Sequence, residues 1–346
     1  MLTKESGKSE YLYYMNIYRG YAILSIVLIH SLYRFLDHSL WYYDYLLQFF
    51  GESTCIFLFI SGFLYEFLGY EDVSYLEFVR KKVWRLIVPY LFWISPCLIL
   101  EIVIHWELFN FYRMIWILIS GLSIYNGALW YIQLIFCIFI IAPLIHYLFR
   151  ERLLIWIITL CGILLSLITS RDNPTHCYYG IATIPHMIGF FLLGMTAAKY
   201  REILKYVKAY VTIMILTIGV ILCLVQGYMQ FPMPDMTLLA LSNISEGVTL
   251  NWLTFNKLFF STGLLVLFYL ICRHVKQNKI LDFFAKYSFP MYFSHLYFYL
   301  PWTLKGIDSH GGIFNFLLYS TYMIIGSSAL CFMLGRIKYI NRIIGL

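Results

Sequence analysis

The chain has 346 residues, of which 61% are hydrophobic and only 12% are charged, and its mean hydropathy is +0.75. Soluble globular domains carry about 25% charged residues, so this composition excludes a soluble protein and indicates an integral membrane protein. The apolar stretches are continuous runs close to the ~20 residues that a spanning helix needs, so we expect an all-α polytopic fold. The net charge of +7 belongs to no separate basic domain and does not indicate nucleic-acid binding.

Charged residues, Pro, Gly and Asn divide the apolar sequence into ten predicted transmembrane helices, which form a single domain over residues 1–346. The predicted spans cover 13–34, 45–69, 83–105, 128–149, 152–170, 180–199, 208–227, 254–273, 288–306 and 313–337. The stretch 109–125 is apolar but short, and we interpret it as an interfacial or re-entrant helix. The longest outer connection, 228–253, would serve as a lid, as part of an acceptor site or as a passive cover.

The distribution of Lys and Arg predicts the orientation of these spans. Twenty of the 25 basic residues fall on one side of the ten-helix arrangement. The other side holds Arg34, Arg113, Arg171, Lys257 and Lys305. The positive-inside rule makes the first side cytoplasmic, so both termini are expected inside. No signal-peptide cleavage pattern precedes the first helix, which is therefore expected to stay as an anchor.

No metal site is expected from the cysteines and histidines. The eight cysteines form no CxxC motif and no Cys/His pair with zinc spacing, and the nine histidines show no HxxxH or HxxE pattern. Five histidines at loops or helix ends are expected to be solvated: His38, His146, His176, His274 and His310.

The first predicted helix carries Arg19 and His30 on one face, because eleven residues make about three helical turns and roughly 16 Å. Ionisable groups inside a bilayer are costly and usually face the interior of a helix bundle or a wet cavity. The sequence leaves an alternative of equal weight, in which His30 is a hydrogen-bonded core residue and Arg19 is a snorkelling anchor.

Glu52 lies in the second predicted helix at a depth comparable with that of His30. A carboxylate beside an imidazole orients the ring and stabilises its charged form, so we expect Glu52 to support His30 as a general base. The alternative is a buried polar pair that fixes helix register. On the same helix Glu66 shares the face of Glu52, and Ser61-Gly62 favours close helix contact over a nucleophile.

Three further stretches hold candidate site residues. The basic cluster at 80–85 is what the positive-inside rule predicts, although a phosphate-rich cytoplasmic ligand would need such cations. Trp130 and Tyr131, at the outer start of the fourth helix, are typical of interfacial anchors. The ninth helix carries a polar stripe that indicates either a hydrated surface or an interhelical hydrogen-bond network. That stripe consists of Ser288, Tyr292, His295 and Tyr299.

In this order, these stretches resemble the membrane-bound acyltransferase family 3, whose members modify cell-surface sugars. Arg19 and His30 in YRGYAILSIVLIH match its first-helix pattern, and FVRKKVWRLIVPY is similar to its basic start of helix three. The other similar stretches are ISGFL, LWYIQLIFCIFIIAPL, IGFFLLGMTAAKY and YSFPMYFSHLYF. The similarity spans residues 15 to 300. The chain departs from the family in pairing Lys82 with Arg85, where two arginines are usual, and in lacking an appended esterase-like domain.

The resemblance implies a multi-pass O-acetyltransferase of the cell (plasma or inner) membrane. It would take an acetyl group from cytoplasmic acetyl-CoA and transfer it to a hydroxyl of a cell-envelope, exopolysaccharide or lipid-linked sugar. CoA phosphates are expected to bind Arg19, Arg80, Lys82 and Arg85. His30, oriented by Glu52, is expected to act as general base or transient acyl acceptor, with His295 and Tyr292 as donors to the carbonyl oxygen. Trp130, Tyr131 and Ser61 are the candidate substrate contacts.

Two other functions stay open at this point. A polysaccharide or lipid-linked-sugar transporter would use the intramembrane His and Glu residues as a proton relay, although we find no inverted repeat and no matching pair of broken helices. A membrane sensor or assembly partner would keep the scaffold without the chemistry. The expected partners are acyl-CoA, the sugar acceptor and the lipid bilayer, and association of copies into a homo-oligomer is left open.

Overall fold

The computed structural model describes residues 6–69, 73–108, 110–123, 125–169, 178–229, 251–275, 278–305 and 310–346. Within these ranges the regular secondary structure is helical, and the remaining backbone pairing is limited to two isolated β-bridges, Leu36 with Gly311 and Ser123 with Asn126. This confirms the predicted all-α class. Most of the 228–253 connection, including residues 230–250, lies outside the described residues.

The described helices follow one another along the chain with short connections. The first eight are α1 (Ser6–Phe35), α2 (Tyr43–Phe50), α3 (Thr54–Leu68), α4 (Tyr75–Lys82), α5 (Val88–Ile104), α6 (Phe111–Ser120), α7 (Trp130–Leu148) and α8 (Arg152–Ile168). The next eight are α9 (Tyr179–Ala182), α10 (Ile184–Lys199), α11 (Ala209–Tyr228), α12 (Trp252–His274), α13 (Lys279–Ser294), α14 (Leu300–Lys305), α15 (Ile313–Gly335) and α16 (Ile340–Ile343). A π-helical turn covers Val83–Ile87, and 3₁₀ segments cover Trp106–Leu108, Arg201–Tyr206 and His295–Tyr299.

Six helical stretches of the described residues are long and apolar enough to cross a membrane, which makes this a multi-pass membrane protein. They are Tyr43–Leu68, Tyr75–Ile104, Trp130–Leu148, Ala209–Tyr228, Leu253–His274 and Ile313–Gly335. Three shorter apolar helices, α6, α8 and α10, accompany them. The total of ten spans and the cytoplasmic placement of both termini stay predictions.

Two of the predicted spans are not continuous α-helices. The span 45–69 is interrupted between α2 and α3, where Glu52 adopts a positive φ of 52°. Glu52 therefore lies in a turn, and its expected helical face shared with Glu66 is wrong. The span 288–306 changes to 3₁₀ geometry at His295, so Tyr299 leaves the helical register of Ser288 and Tyr292.

Helix α6 has ten residues and is about 15 Å long, half of the ~30 Å hydrocarbon thickness, in agreement with a helix that does not span. Arg113 of α6 pairs through Nη2 with the buried Glu101 of α5 at 3.2 Å, and Ser123 donates to the same carboxylate oxygen at 3.3 Å. This pair fixes α6 and the following loop against α5, and the loop leads directly into Trp130 and Tyr131.

Helix α1 lies at the centre of the bundle, where it contacts α12, α13 and α15. Beside it, α3 and α10 approach so closely that a Cβ at Gly62 would collide with the carbonyl oxygen of Phe191. A Cβ at Gly194 would likewise collide with that of Phe59. The predicted role of Gly62 in close helix contact is thus confirmed. These contacts place the functional faces of α1, α3 and α13 around one interior region.

Candidate active site

His30 and His295, which are far apart in the sequence, face each other in the fold. Their ring centroids are 5.1 Å apart and the rings are tilted by 45°. His30 belongs to α1, and His295 begins the 3₁₀ segment that follows α13. His295 is completely buried, whereas His30 is partly accessible. The structure therefore joins two predicted site residues into one imidazole pair.

The ring nitrogens of His295 have different surroundings. Its Nδ1 lies 2.8 Å from the carbonyl oxygen of Tyr292 and 3.2 Å from that of Met291. A carbonyl only accepts, so Nδ1 carries the proton of the neutral ring and Nε2 keeps its lone pair. Nε2 is buried and has no hydrogen-bond partner among the described residues. His295 therefore presents an acceptor to the site, which differs from its expected role as a donor.

An aromatic series connects this pair to Tyr131. The Tyr292 ring lies 6.2 Å from His295 and 5.6 Å from Tyr131, measured between centroids. The Tyr292 hydroxyl donates to the carbonyl oxygen of Ala128, which engages the donor that its predicted role requires. Trp130 packs edge-on against Tyr131 and is 6% exposed, so the expectation of an interfacial anchor is wrong for this residue.

A cavity of about 900 Å³ opens between α1, α3, α5 and α7. Its α7 wall runs from Tyr131 through Ile135 to Phe139, eight residues or about 12 Å of helix. Most of its lining is apolar. The polar lining residues are Arg19, Ser61, Arg85, Tyr131, Ser288 and Arg342. The cavity therefore extends from a cationic end, where Arg85 and Arg342 are exposed, to the aromatic series beside the histidine pair.

Arg19 is the deeper of the cations in this cavity. It lies three helical turns before His30 on α1, and its Nε is buried with no hydrogen-bond partner among the described residues. A buried guanidinium nitrogen without a partner is costly, so the site favours a ligand that brings an acceptor. The predicted assignment of Arg19 to a phosphate agrees with this position.

The π-helical turn Val83–Ile87 separates the members of the basic cluster. Pro89 has no N–H to bond the Arg85 carbonyl, and its ring crowds that carbonyl, which favours a wider turn. Arg85 lines the cavity, whereas Lys82 lies with Nζ 3.6 Å from the ring centroid of Phe139. Arg80 lines a separate groove of about 370 Å³. Of the three, the structure brings only Arg85 to the cavity.

Glu52 lies beside a second histidine, His186 of α10. Its Oε1 is 3.8 Å from Nε2 of His186, and its Oε2 is 4.0 Å from the thiol of Cys55. His186 is 1% exposed and its Nδ1 lies 2.9 Å from the carbonyl oxygen of Thr169, so Nδ1 carries the proton. The support of His30 by Glu52 stays a prediction, and His186 is a neighbour that sequence analysis did not assign.

Glu66 lies at the other end of α3 and binds His146 and Lys199. The distances to Glu66 oxygens are 2.7 Å from His146 Nδ1 and 3.9 Å from Lys199 Nζ. The expectation that His146 is solvated is therefore wrong, because α7 and α10 both contribute a basic residue to the buried carboxylate. This group joins α3, α7 and α10 away from the histidine pair.

Two residues of the site were missed by sequence analysis. Arg342 is visible in the sequence only as one of twenty inner basic residues, and nothing local links it to Arg19 or Arg85. His186 offered a weak signal, because it is an ionisable residue within an apolar helix directly after Pro185. Its neighbour Glu52 is 134 positions earlier in the chain, so only the tertiary contact of α10 with α3 identifies the pair.

Comparison with known proteins supports one assignment. A protein-family model of the acyltransferase 3 family, described as an acyltransferase domain, matches residues 12–336. No curated protein and no solved structure matches the chain. The family match covers nearly the whole chain, including both histidines of the pair and the α1, α3, α5 and α7 walls of the cavity. The chain therefore belongs to the acyltransferase 3 family.

Proposed function

We propose that this protein is an O-acetyltransferase of the cell membrane. It takes an acetyl group from cytoplasmic acetyl-CoA and transfers it to a hydroxyl of a cell-envelope or exopolysaccharide sugar. Family membership supports acyl transfer in general. The donor, the acetyl group and the sugar acceptor are the proposal.

The observation that carries the proposal is the continuity between a cationic cavity and a histidine pair. The 900 Å³ cavity holds Arg19, Arg85 and Arg342 at one end and Tyr131 at the other. Tyr131 leads through Tyr292 to the histidines. A donor with charged phosphates at one end and a thioester at the end of a long arm matches this arrangement. Guanidinium groups bind phosphates with paired hydrogen bonds.

The apolar part of the cavity suits the pantetheine arm. With phosphates held near Arg19 and Arg85, the arm would follow the α7 wall past Phe139 and Ile135 to Tyr131. Such a position brings the thioester toward His30 and His295 and keeps it apart from bulk water. The binding energy of the nucleotide end then orients the reacting carbonyl.

The transfer needs one proton to move from the acceptor to CoA. His30 accepts the proton of the sugar hydroxyl while the hydroxyl oxygen attacks the thioester carbonyl carbon. The C–S bond breaks, the ester forms, and the proton passes from His30 to the sulfur of CoA. His295, whose Nε2 is a buried acceptor, would hold the sugar hydroxyl by accepting a hydrogen bond. In the other form of this proposal His30 carries the acetyl group transiently.

The acceptor would approach from the Tyr131 end of the cavity. Ser61 and Tyr131 both line the cavity and lie within hydrogen-bonding reach of each other. A tyrosine with an accessible face and a serine hydroxyl can contact a sugar ring by stacking and by hydrogen bonds. Trp130 supports Tyr131 from behind and does not line the cavity itself.

Release of CoA tests this function directly. Purified protein in lipid vesicles would receive acetyl-CoA and an envelope glycan extract, and free thiol would be followed together with acetyl mass on the glycan. The proposal predicts thiol release that depends on glycan and matches the acetyl mass gained. Absence of transfer with acetyl, propionyl and longer acyl-CoA donors, in preparations that contain an accepted glycan, would favour a transporter.

A further inference from the structure

The segment that follows α15 forms one wall of the cavity. Arg342, Ile343, Gly345 and Leu346 all line it, and they come from α16 and the three residues after it. The segment is firmly placed, because Ile344 is completely buried and its carbonyl oxygen accepts a hydrogen bond from Nε1 of Trp93 at 3.5 Å. Residues 340–346 are therefore part of the cavity rather than a peripheral extension.

This wall lies outside the region that the family model matches. The match ends at residue 336, at the end of α15. The two other arginines of the cavity, Arg19 and Arg85, lie within the matched region. Arg342 thus adds a third cation to the cavity from a segment that the shared family pattern does not include.

The three arginines lie at different depths. Arg19 is partly buried and its Nε has no partner among the described residues, whereas Arg85 and Arg342 are exposed at the open end. Every charged side chain that lines the cavity is an arginine. Two separate cationic positions, one inner and one outer, suit a ligand with phosphates at two places.

CoA has this distribution of charge. Its diphosphate joins directly to the pantetheine arm, and its 3′-phosphate lies farther away on the ribose. If the arm extends toward Tyr131, the diphosphate lies nearer Arg19 and the 3′-phosphate nearer the open end. We propose that Arg342, on the wall formed by residues 340–346, binds the 3′-phosphate and selects CoA thioesters over acyl thioesters that lack this phosphate. This inference rests on the proposed donor.

The test measures binding without turnover, so that it is independent of transfer. Kd would be measured for CoA and for dephospho-CoA, which lacks only the 3′-phosphate, with the full-length protein in vesicles or detergent. The variants are Arg342→Ala and the matched control Arg336→Ala. Arg336 lies at the start of the same segment but stacks on Phe332, 4.4 Å from the ring centroid, and does not line the cavity.

We expect the wild-type protein to bind CoA about tenfold more tightly than dephospho-CoA, since a charge-assisted contact to phosphate contributes at least about that much. Arg342→Ala should weaken CoA about tenfold and leave dephospho-CoA unchanged within about twofold. Retained dephospho-CoA binding shows at the same time that the variant is folded. Arg336→Ala should bind both ligands as the wild type does.

Other results would overturn the inference. Equal weakening of both ligands by Arg342→Ala would mean that Arg342 does not contact the 3′-phosphate, and equal wild-type affinities would mean that no residue reads it. CoA binding without acetyl transfer would contradict the proposed function while leaving the CoA site in place. Absence of CoA binding by the wild-type protein would contradict both.

Discussion

His30 and His295 lie close enough that their charges are coupled. Two imidazolium rings with centroids 5.1 Å apart in a membrane interior would repel strongly, so at most one proton beyond the neutral state is favourable for the pair. His295 keeps its Nδ1 proton on backbone carbonyls. His30 is consequently the member that is available to gain and lose a proton during transfer.

Glu52 should matter to this chemistry through its charge. We expect Glu52→Gln to lower kcat by at least about tenfold, because an amide of the same shape no longer stabilises a protonated imidazole nearby. The rate of CoA release at saturating donor is the measurement. Glu77→Gln, which removes an exposed carboxylate paired with Lys81, is the control and should leave kcat unchanged. An unaltered kcat in Glu52→Gln would limit Glu52 to a role in helix register.

Arg85 and Arg80 provide a matched pair for donor binding. Arg85→Ala should raise KM for acetyl-CoA about tenfold with little change in kcat, because it removes a contact made equally before and during transfer. Arg80→Ala removes the same charge from the neighbouring groove and should change KM less than about twofold. Initial rates over a range of acetyl-CoA concentrations separate the two. Equal effects would indicate general attraction by the basic surface.

At the level of elements, the π-helical turn before Pro89 determines where Arg85 points. Pro89→Ala restores the N–H that can bond the Arg85 carbonyl, and an ordinary α-turn would rotate the preceding residues by about 100° around the helix axis. We expect KM for acetyl-CoA to rise at least about threefold without loss of thermal stability. Pro96→Ala, at an exposed position of the same helix, should leave KM unchanged.

The elements also show where local sequence patterns stop being informative. Hydrophobic run length was sufficient for most helices, and the short run at 109–125 correctly indicated a helix too short to span. It did not indicate the turn at Glu52 or the 3₁₀ geometry at His295, because apolar side chains fill both stretches as they would a straight helix. Gly51 and Pro290 stand beside these changes, but glycine and proline also occur within continuous membrane helices.

For the whole molecule, composition and charge were enough for the all-α membrane class, whereas the site depended on which helices meet. His30 and His295 were each placed on their own helix from the sequence, but their contact follows from the tertiary association of α1 with α13. Arg342 shows the same limit, since its place in the cavity depends on the fold of residues 340–346 against α5. Local periodicity carries no information on such contacts.

The orientation of the whole molecule is open to a direct test. In a background whose native cysteines are replaced by alanine, Ser39→Cys in the connection between α1 and α2 should react with a membrane-impermeant thiol reagent added to whole cells. Lys208→Cys, just before α11, should react only after the membrane is opened. The reverse pattern would invert the topology and place the cationic end of the cavity outside the cell.

The most direct test of the account compares wild-type protein with His30→Ala in lipid vesicles supplied with acetyl-CoA and envelope glycan. The account predicts acetyl transfer by the wild type and a loss of at least about a hundredfold in the variant. CoA binding by the variant should be retained, because the arginines that hold the phosphates are unchanged. Transfer at the wild-type rate by a His30→Ala protein that still binds CoA would contradict the assignment of the chemistry to the histidine pair.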